Sequence, residues 1–595
     1  MDIEQLNHLR HTLSHLLAAA VRELYPHAKP TLGPAIDNGF YYDFDFEGGD
    51  KPGEQDLAKI EQKMRELLKK WDTIQGEEVS EKRAKEVFEG NPYKSELIDE
   101  IVERGEKLTL YHSTASDAGA TVEEAEFTDL CRGGHSEAPN KELKDLGFKL
   151  DRIAGAYWRG DEKNAMLTRI YGLAFESKEA LKEYEAMVEE AKKRDHKKLG
   201  RELDLFYIDE EVGKGLPMWT PKGTAIKFAL EEFTREVERK YGYEHVSTPY
   251  LASSKLYKTS GHLDHYSENM YAPIVMDDEQ FYLRPMACPH HIKLLQRAPI
   301  SYKDLPVRYA EVADYNRYEK SGELMGMIRV RKFQLTDAHI FVAPEGVKEE
   351  FKNVCRMIEE CMTGIGLRDV VTYRFSKRDP ENKEKYYPDD DLWNNAETMM
   401  REALDELGLN YVEAEDEAAF YGPKLDVQAR NVNGKEDTLF TAQMDFLLPE
   451  KFNIEYVAED GTKKRPVMVH RSAIGSLERT FAFLIEHYAG AFPLWMAPVQ
   501  VRVVPIAEAH MEYAKKVHEA LLAAGIRSEL DSVDDSLGKR IRACKLEKLP
   551  NFVCIGDKEI ESNAVKLEFR DGEPKELSID NLVAHLKEAI ANRVV

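Results

Sequence analysis

A chain of 595 residues cannot fold around one hydrophobic core, because cores stop growing near ~250–300 residues and domains average ~100–200. Three or four domains are expected, and shifts of pattern mark where they join. Residues 1–175 combine a helical opening with glycine-punctuated strand signals such as TLGPAIDNGFYYDFDF, which predicts an α+β module. The stretch 176–200, rich in Ala and Glu and free of glycine until its end, predicts a solvated connecting helix. Residues 201–496 mix glycine-punctuated strands with amphipathic helices. After Met496-Ala-Pro, short strands such as VQVRVVPI and NFVCIGD alternate with helical segments, so 497–595 reads as an α/β domain.

Charge and cysteine usage narrow the class. Asp plus Glu (109) exceed Lys plus Arg (83), a formal charge of -26, which argues against indiscriminate nucleic-acid binding. An RNA partner would need local basic patches. No apolar run reaches the ~20 residues that span a bilayer. The opening MDIEQLNHLRHTLSHLL lacks a basic stretch followed by an unbroken apolar one, so no membrane association and a cytoplasmic location are expected. Six thinly spread cysteines read as free thiols or metal ligands.

Residues suited to phosphate and metal chemistry concentrate between 201 and 496. In FYLRPMACPHHIKLL, Cys288 follows a predicted strand, and the proline after it places the thiol on a turn. His339 lies in VRKFQLTDAHIF and His470 in RPVMVHRSAIGS. Each alone reads as a packed core residue. Together, on three separate strands, they form a Cys, His, His set suited to zinc with a fourth position open to substrate. Near the N-terminus, His11 and His15 stand at i and i+4 on one helix face, and Cys131 and His135 lie four residues apart. Those four groups could also bind zinc. The segment SLGKRIRACK, Ser536 to Lys545, predicts a basic helix face for phosphate contacts.

The blocks RPMACPHH, NRYEKSGELMGMIRVRKFQLTDAHIF and VMVHRSAIGSLERTFAFLIEHYAGAFPLWMAP, in that order, resemble the signature blocks of the threonyl-tRNA synthetases of class II. The likeness runs from residue 8 to about 590. It implies a multidomain α+β protein with an antiparallel-sheet catalytic core flanked by helices, an α+β editing domain and a C-terminal α/β anticodon-binding domain. It implies an ATP-dependent ligase that makes threonyl-adenylate and pyrophosphate, then transfers threonine to tRNA(Thr). Cys288, His339 and His470 match ligands of one zinc per subunit, which accepts the amino and hydroxyl groups of threonine; magnesium accompanies ATP. A site that must engage the hydroxyl can reject valine by roughly 10⁴–10⁵, which an apolar pocket cannot do. Asp337, two residues from His339 and so on the same strand face, is placed to accept a hydrogen bond from that hydroxyl.

The same resemblance assigns the nucleotide side. Arg317 and Arg329 match phosphate contacts, Glu319 matches the reader of the adenine amino group, and Phe333 and Arg479 would cover the two adenine faces, with Ser476 beside Arg479 in the third motif. Arginine suits this role because its planar fork makes paired contacts to phosphate oxygens. Tyr421, Lys424, Thr441 and Gln443 match pocket residues, and His262 matches a histidine near the tRNA 3′ ribose. Leu335 and Thr438 stand where members often carry glutamine.

Serine also offers an amino group and a hydroxyl, and one methyl is worth only ~1–3 kcal/mol of discrimination, so a second, hydrolytic site is needed. HxxxH plus CxxxH, followed by AGAYWRGDEKNAMLTRIYG, resembles the editing domain shared by threonyl- and alanyl-tRNA synthetases and implies hydrolysis of seryl-tRNA(Thr). A four-ligand metal site is normally closed and structural. A metal-free pocket is therefore expected, in which His11, His15, Cys131, His135, Asp129 and Lys94 position substrate and water. In the last domain Glu559 matches an anticodon-reading residue. Glu568 replaces a common arginine, leaving Arg570 or Lys566 to substitute. Pro249 matches a proline at the class II dimer interface, so a homodimer is expected. Members often begin with a ubiquitin-like domain; with the histidine motif at residue 11, none is expected here. The alternative is a non-catalytic or regulatory tRNA-binding paralogue, which usually loses motif residues, whereas Arg317, Arg479 and the Cys, His, His set are kept. A zinc hydrolase would need HExxH, but Thr12 follows His11.

Overall fold

The computed structural model describes residues 1–114, 125–432, 434 and 436–593. They form two compact units, Met1–Val188 and Glu189–Val595. In the first, the helix Ile3–Leu24 starts at Asp2, whose side chain accepts a hydrogen bond from the Gln5 amide. Leu9, Leu13, Leu16 and Leu17 recur every three or four residues and bury in one cluster with Phe40, Tyr42, Phe44 and Ile170 of the adjacent sheet. That antiparallel sheet runs Lys29–Pro30, Gly39–Asp45, Met166–Phe175, Gly147–Tyr157. A second sheet orders Thr73–Glu78, Thr109–Thr114 and Phe127–Leu130. The unit is α+β, as expected.

The span expected as one solvated helix holds two, Lys178–Arg194 and His196–Glu202. Asp195 divides them, its carboxylate accepting from the Lys197 and Lys198 amides. The second helix is solvated on one face only: His196, Leu199 and Gly200 are buried, and Leu199 joins the large core of the second unit. The run of charges hid this, because only Leu199 and Leu203 advertise an apolar face.

The second unit is built on an eight-stranded sheet in the order Glu244–His245, Val307–Asn316, Lys332–Val342, Val467–Ser476, Glu436–Asp445, Lys424–Arg430, Val371–Ser376, Tyr411–Ala414. Only the two outermost pairings are parallel. Helices Pro221–Lys240, Val347–Gly364, Asp390–Glu406 and Leu477–His487 cover it through residues such as Phe233, Phe351, Met400 and Phe481. Residues 501–591 add a five-stranded mixed sheet packed against helices Met511–Ala523 and Ile579–Ala591, with Val503, Val553, Leu521 and Leu586 in its core. Among the described residues no helix is long and apolar enough to cross a membrane.

Candidate active site

The register of the central strands sets out the chemistry. His339 lies opposite His470, His470 opposite Gln443, and Gln443 opposite Lys424. Directly opposed residues share one face of a sheet, and Asp337, two positions from His339, joins them. Cys288 is not on a turn and the set does not come from three strands: the cysteine is the first residue of the helix Cys288–Leu295. Proline in a first helical turn forgoes only an amide that lacks an intrahelical partner, so Cys-Pro opens a helix. The thiol sulfur and one nitrogen from each of His339 and His470 lie within 4.8 Å of one another.

Each imidazole is oriented from behind. Asp445 lies 2.8 Å from Nε2 of His470, leaving Nδ1 for a ligand. Nδ1 of His339 is 2.8 Å from Nδ1 of His291, whose Nε2 is 3.1 Å from Glu311. Burial raises the Glu311 pKa, but the His291 hydrogen bond, the Arg284 charge and two bonds from Thr248 outweigh it and bring it to about 2. The carboxylate therefore accepts a hydrogen bond from Nε2–H of His291. Nδ1 of His291 is then the acceptor for Nδ1–H of His339, whose Nε2 lone pair remains for a ligand. Burial, then the charges of His291 and His470, hold the His339 pKa well below its ordinary value, so it stays neutral. Burial, then the Asp337 and Asp445 carboxylates, push the Cys288 thiol well above its own. A buried thiol surrounded by negative charge ionises when a cation binds. The donor set thus fits a zinc ion. Sequence reasoning missed His291, Glu311 and Asp445; only His291 lay beside a motif, in CPHH.

A cavity of about 290 Å³ joins this set to the arginines, lined by Cys288, Arg317, Glu319, Arg329, Phe333, Leu335, Asp337, His339, Tyr421, Thr438, Thr441, Gln443, His470, Ser476 and Arg479. Tyr315, another residue missed, donates its hydroxyl hydrogen to Asp337. Tyr421 donates to Gln443 (2.5 Å), and Gln443 donates to Thr441 (2.9 Å). Arg479 donates to the carbonyls of Ile328 and Thr438. Burial lowers the Arg479 pKa, then the Arg317 charge; Asp437 opposes this, and Arg329 adds to it. Three guanidiniums converging on one wall favour a polyanion. The Arg317 guanidinium lies 5.2 Å from the Phe333 ring centre.

Two predicted residues do not line that cavity. Lys424 is bound to Asp426 at 2.8 Å. His262 borders a smaller cavity of about 70 Å³ shared with Cys288, Tyr421 and His470. Its Nδ1 is 2.7 Å from Ser260 Oγ, and burial lowers its pKa to about 4.

The first unit holds a second cluster, in which donor atoms of His11, His15, Cys131 and His135 lie within 4.8 Å of one another. The Cys131 sulfur is 3.4 Å from Nε2 of His11 and 3.2 Å from Nε2 of His135. Asp129 is held by Lys94 at 2.5 Å and the Tyr42 hydroxyl at 2.5 Å, with His15 at 3.6 Å. Burial lowers the pKa values of His11, His15 and His135 and raises that of Cys131 to about 11. A cavity of about 270 Å³ is lined by His11, His15, Lys94, Asp129 and Cys131.

In the last domain the expected basic face is smaller than its sequence suggests. Arg540 is buried and donates to the carbonyls of Pro505, Ile506, Ser532 and Asp535, leaving Lys539, paired with Asp535 at 2.8 Å, and Arg542 and Lys545 exposed. Glu559 accepts from the Gly556 amide at 2.9 Å, Glu568 pairs with Lys566 at 2.7 Å, and Arg570 donates to the Phe492 and Lys548 carbonyls.

A family model described as the tRNA synthetase class II core domain (G, H, P, S and T) matches residues 271–488, and one described as an anticodon binding domain matches 500–589. A threonine–tRNA ligase from Geobacillus sp. (strain WCH70) is 50% identical, with the match covering 98% of this chain and 88% of the relative. Threonine–tRNA ligase 1 of Bacillus subtilis (strain 168) is 47% identical over 99% of this chain and 89% of its own. A solved structure described as the RNA binding domain of threonyl-tRNA synthetase from Cryptosporidium parvum Iowa II matches with a TM-score of 0.63 at 33% identity, covering 67% of this chain and 98% of that one.

Proposed function

This chain belongs to the threonine–tRNA ligases, ATP-dependent enzymes that aminoacylate tRNA(Thr), and on that premise we propose how its residues divide the reaction. The observation that carries the reading is the cavity lined both by a Cys, His, His set and by three arginines. Cys288, His339 and His470 hold one zinc ion, which when bound supplies a Lewis acid for the amino and hydroxyl groups of threonine. Asp337, fixed by Tyr315, accepts a hydrogen bond from that hydroxyl, and Tyr421, Thr441 and Gln443 close the amino-acid side.

On the nucleotide side, Glu319 and Ser476 help seat the adenosine. Phe333 and Arg479 cover the adenine, which requires Arg317 to leave the Phe333 ring and turn to the α-phosphate. Arg317 and Arg329 oppose the charge that grows as the threonine carboxylate oxygen bonds to the α-phosphorus and pyrophosphate departs with its magnesium. Lys424 exchanges Asp426 for a phosphate oxygen. His262, neutral at pH 7, takes the proton of the terminal ribose hydroxyl during transfer to tRNA.

The first unit hydrolyses seryl-tRNA(Thr) without a metal: the Cys131 sulfur already contacts both imidazoles, and neutral His11, His15 and His135, with the Lys94–Asp129 pair, position water and substrate. Glu559 contributes to reading the anticodon. The protein works in the cytoplasm as a homodimer, with exposed Pro249 and Tyr250 at the contact.

Pyrophosphate exchange with threonine, serine, valine and alanine, alongside zinc content, tests the central reading. Threonine-led exchange, weaker serine, no valine and about one zinc per chain are expected. A zinc-containing protein that shows no exchange with threonine would be the non-catalytic paralogue instead.

A further inference from the structure

His196 belongs to no motif and has no part in the reading above. Its side chain is buried and lies between two pieces of the nucleotide machinery. Nδ1 is 2.7 Å from Oε1 of Glu486, on the helix Leu477–His487 that carries Arg479. Nε2 is 3.2 Å from the backbone N–H of Met327. A backbone N–H can only donate, so Nε2 bears the lone pair and Nδ1 the proton, which it gives to Glu486. Partners on opposite sides hold the ring in one orientation.

Met327 sits in the tight turn 325–329, where Met325 donates to the Arg329 carbonyl at 3.1 Å and Ile328 to that of Met325 at 2.9 Å. The Ile328 carbonyl accepts from Arg479 Nε at 3.2 Å, and Arg329 lines the cavity. At Gly326 φ is +51°, and a Cβ there would meet His196 Nε2 at 2.1 Å. The turn therefore approaches the ring as closely as glycine permits. Phe206, in the strand Phe206–Tyr207, stacks near the imidazole with ring centres 6.4 Å apart.

We propose that His196 is a positioning residue for adenylate formation, which ties the turn carrying Arg329 to the helix carrying Arg479 and so presets both guanidiniums for the nucleotide. This rests on the reading of the cavity as an ATP site and deepens it. His196 touches none of the residues assigned to the amino acid, so its loss weakens ATP binding selectively.

The test uses full-length protein and pyrophosphate exchange titrated separately with ATP and with threonine. His196→Gln keeps an acceptor near Nε2, His196→Asn keeps only a donor near Nδ1, and His196→Phe keeps neither. H196F, H196N and H196Q each cut the tie on at least one side and are each expected to raise KM for ATP about tenfold while KM for threonine stays within about twofold, as loss of one buried hydrogen bond predicts. The proposal is overturned if both KM values rise together, if neither moves, or if H196Q or H196N remains near wild type. Should H196F not fold, the Gln and Asn pair decides by the same criteria. Absence of threonine-dependent exchange in the wild type would overturn the ATP-site reading itself, an outcome separable from failure of the variants.

Discussion

At His339 the nitrogen offered to a ligand is settled by a side chain behind it. His291 must accept a proton from Nδ1 of His339 because its own Nε2–H is committed to Glu311. Replacing His291 by Phe leaves a buried N–H without an acceptor and frees the other tautomer, which presents a proton where the lone pair should be. Partners of this kind are typically worth 10–100-fold in metal affinity. His291→Phe is therefore expected to weaken zinc binding by about tenfold or more in a chelator competition, with Cys288 and His470 unchanged; zinc retained as tightly as in the wild type would remove His291 from this role. At this scale the sequence was legible for residues whose type suits a ligand and opaque for those that orient them. Cys288, His339, Asp337 and His470 stood out because their types suit a metal and a hydroxyl. Glu311 and Asp445 did not, because a carboxylate in a charged chain is usually solvated, and only the packing of the helix Cys288–Leu295 on its strand brings Glu311 to His291, and the register of neighbouring strands Asp445 to His470.

At the scale of elements, the third motif depends on how a strand ends. Gly475 has φ +71°, and a Cβ there would meet the Leu439 carbonyl oxygen at 2.2 Å. Only glycine lets the end of Val467–Ser476 run this close to Glu436–Asp445 before Ser476 caps the next helix by accepting from the Arg479 amide. Gly475→Ala must either part these strands or tilt the helix, and either movement displaces Arg479 from the Thr438 carbonyl at 2.9 Å. A left-handed alanine costs roughly 1–2 kcal/mol before the clash is counted, so exchange kinetics should show KM for ATP raised at least about tenfold. An unchanged KM in a folded G475A protein would mean the strand can relax without moving the arginine. Other elements resisted reading for the same kind of reason. Cys-Pro opens a helix because its first turn needs no amide there, and Arg540, which looks like a phosphate ligand in sequence, is consumed by four carbonyls of its own domain.

At the scale of the molecule, synthesis and hydrolysis are assigned to separate units, each with its own core. The cluster around Leu13, Phe40 and Ile170 shares no residue with the one around Ile226, Phe351 and Phe481. Changes at sites without shared partners combine additively to within about 0.3–0.5 kcal/mol. His11 touches Cys131 and the Gly134 carbonyl, both in the first unit. His11→Ala is therefore expected to leave threonine-dependent pyrophosphate exchange within about twofold of wild type, yet to let seryl-tRNA(Thr) accumulate when serine is supplied. The expectation rests on the proposed reading: a site that engages the hydroxyl serine shares cannot reject serine, so the correction would fall to the other unit. Deacylation of preformed seryl-tRNA(Thr) and exchange, measured on the same protein, separate the two activities. If H11A lost both in proportion, the two sites would be coupled through the whole chain and the assignment of hydrolysis to the first unit would fail; if it lost neither, the cluster around Cys131 would have to be structural.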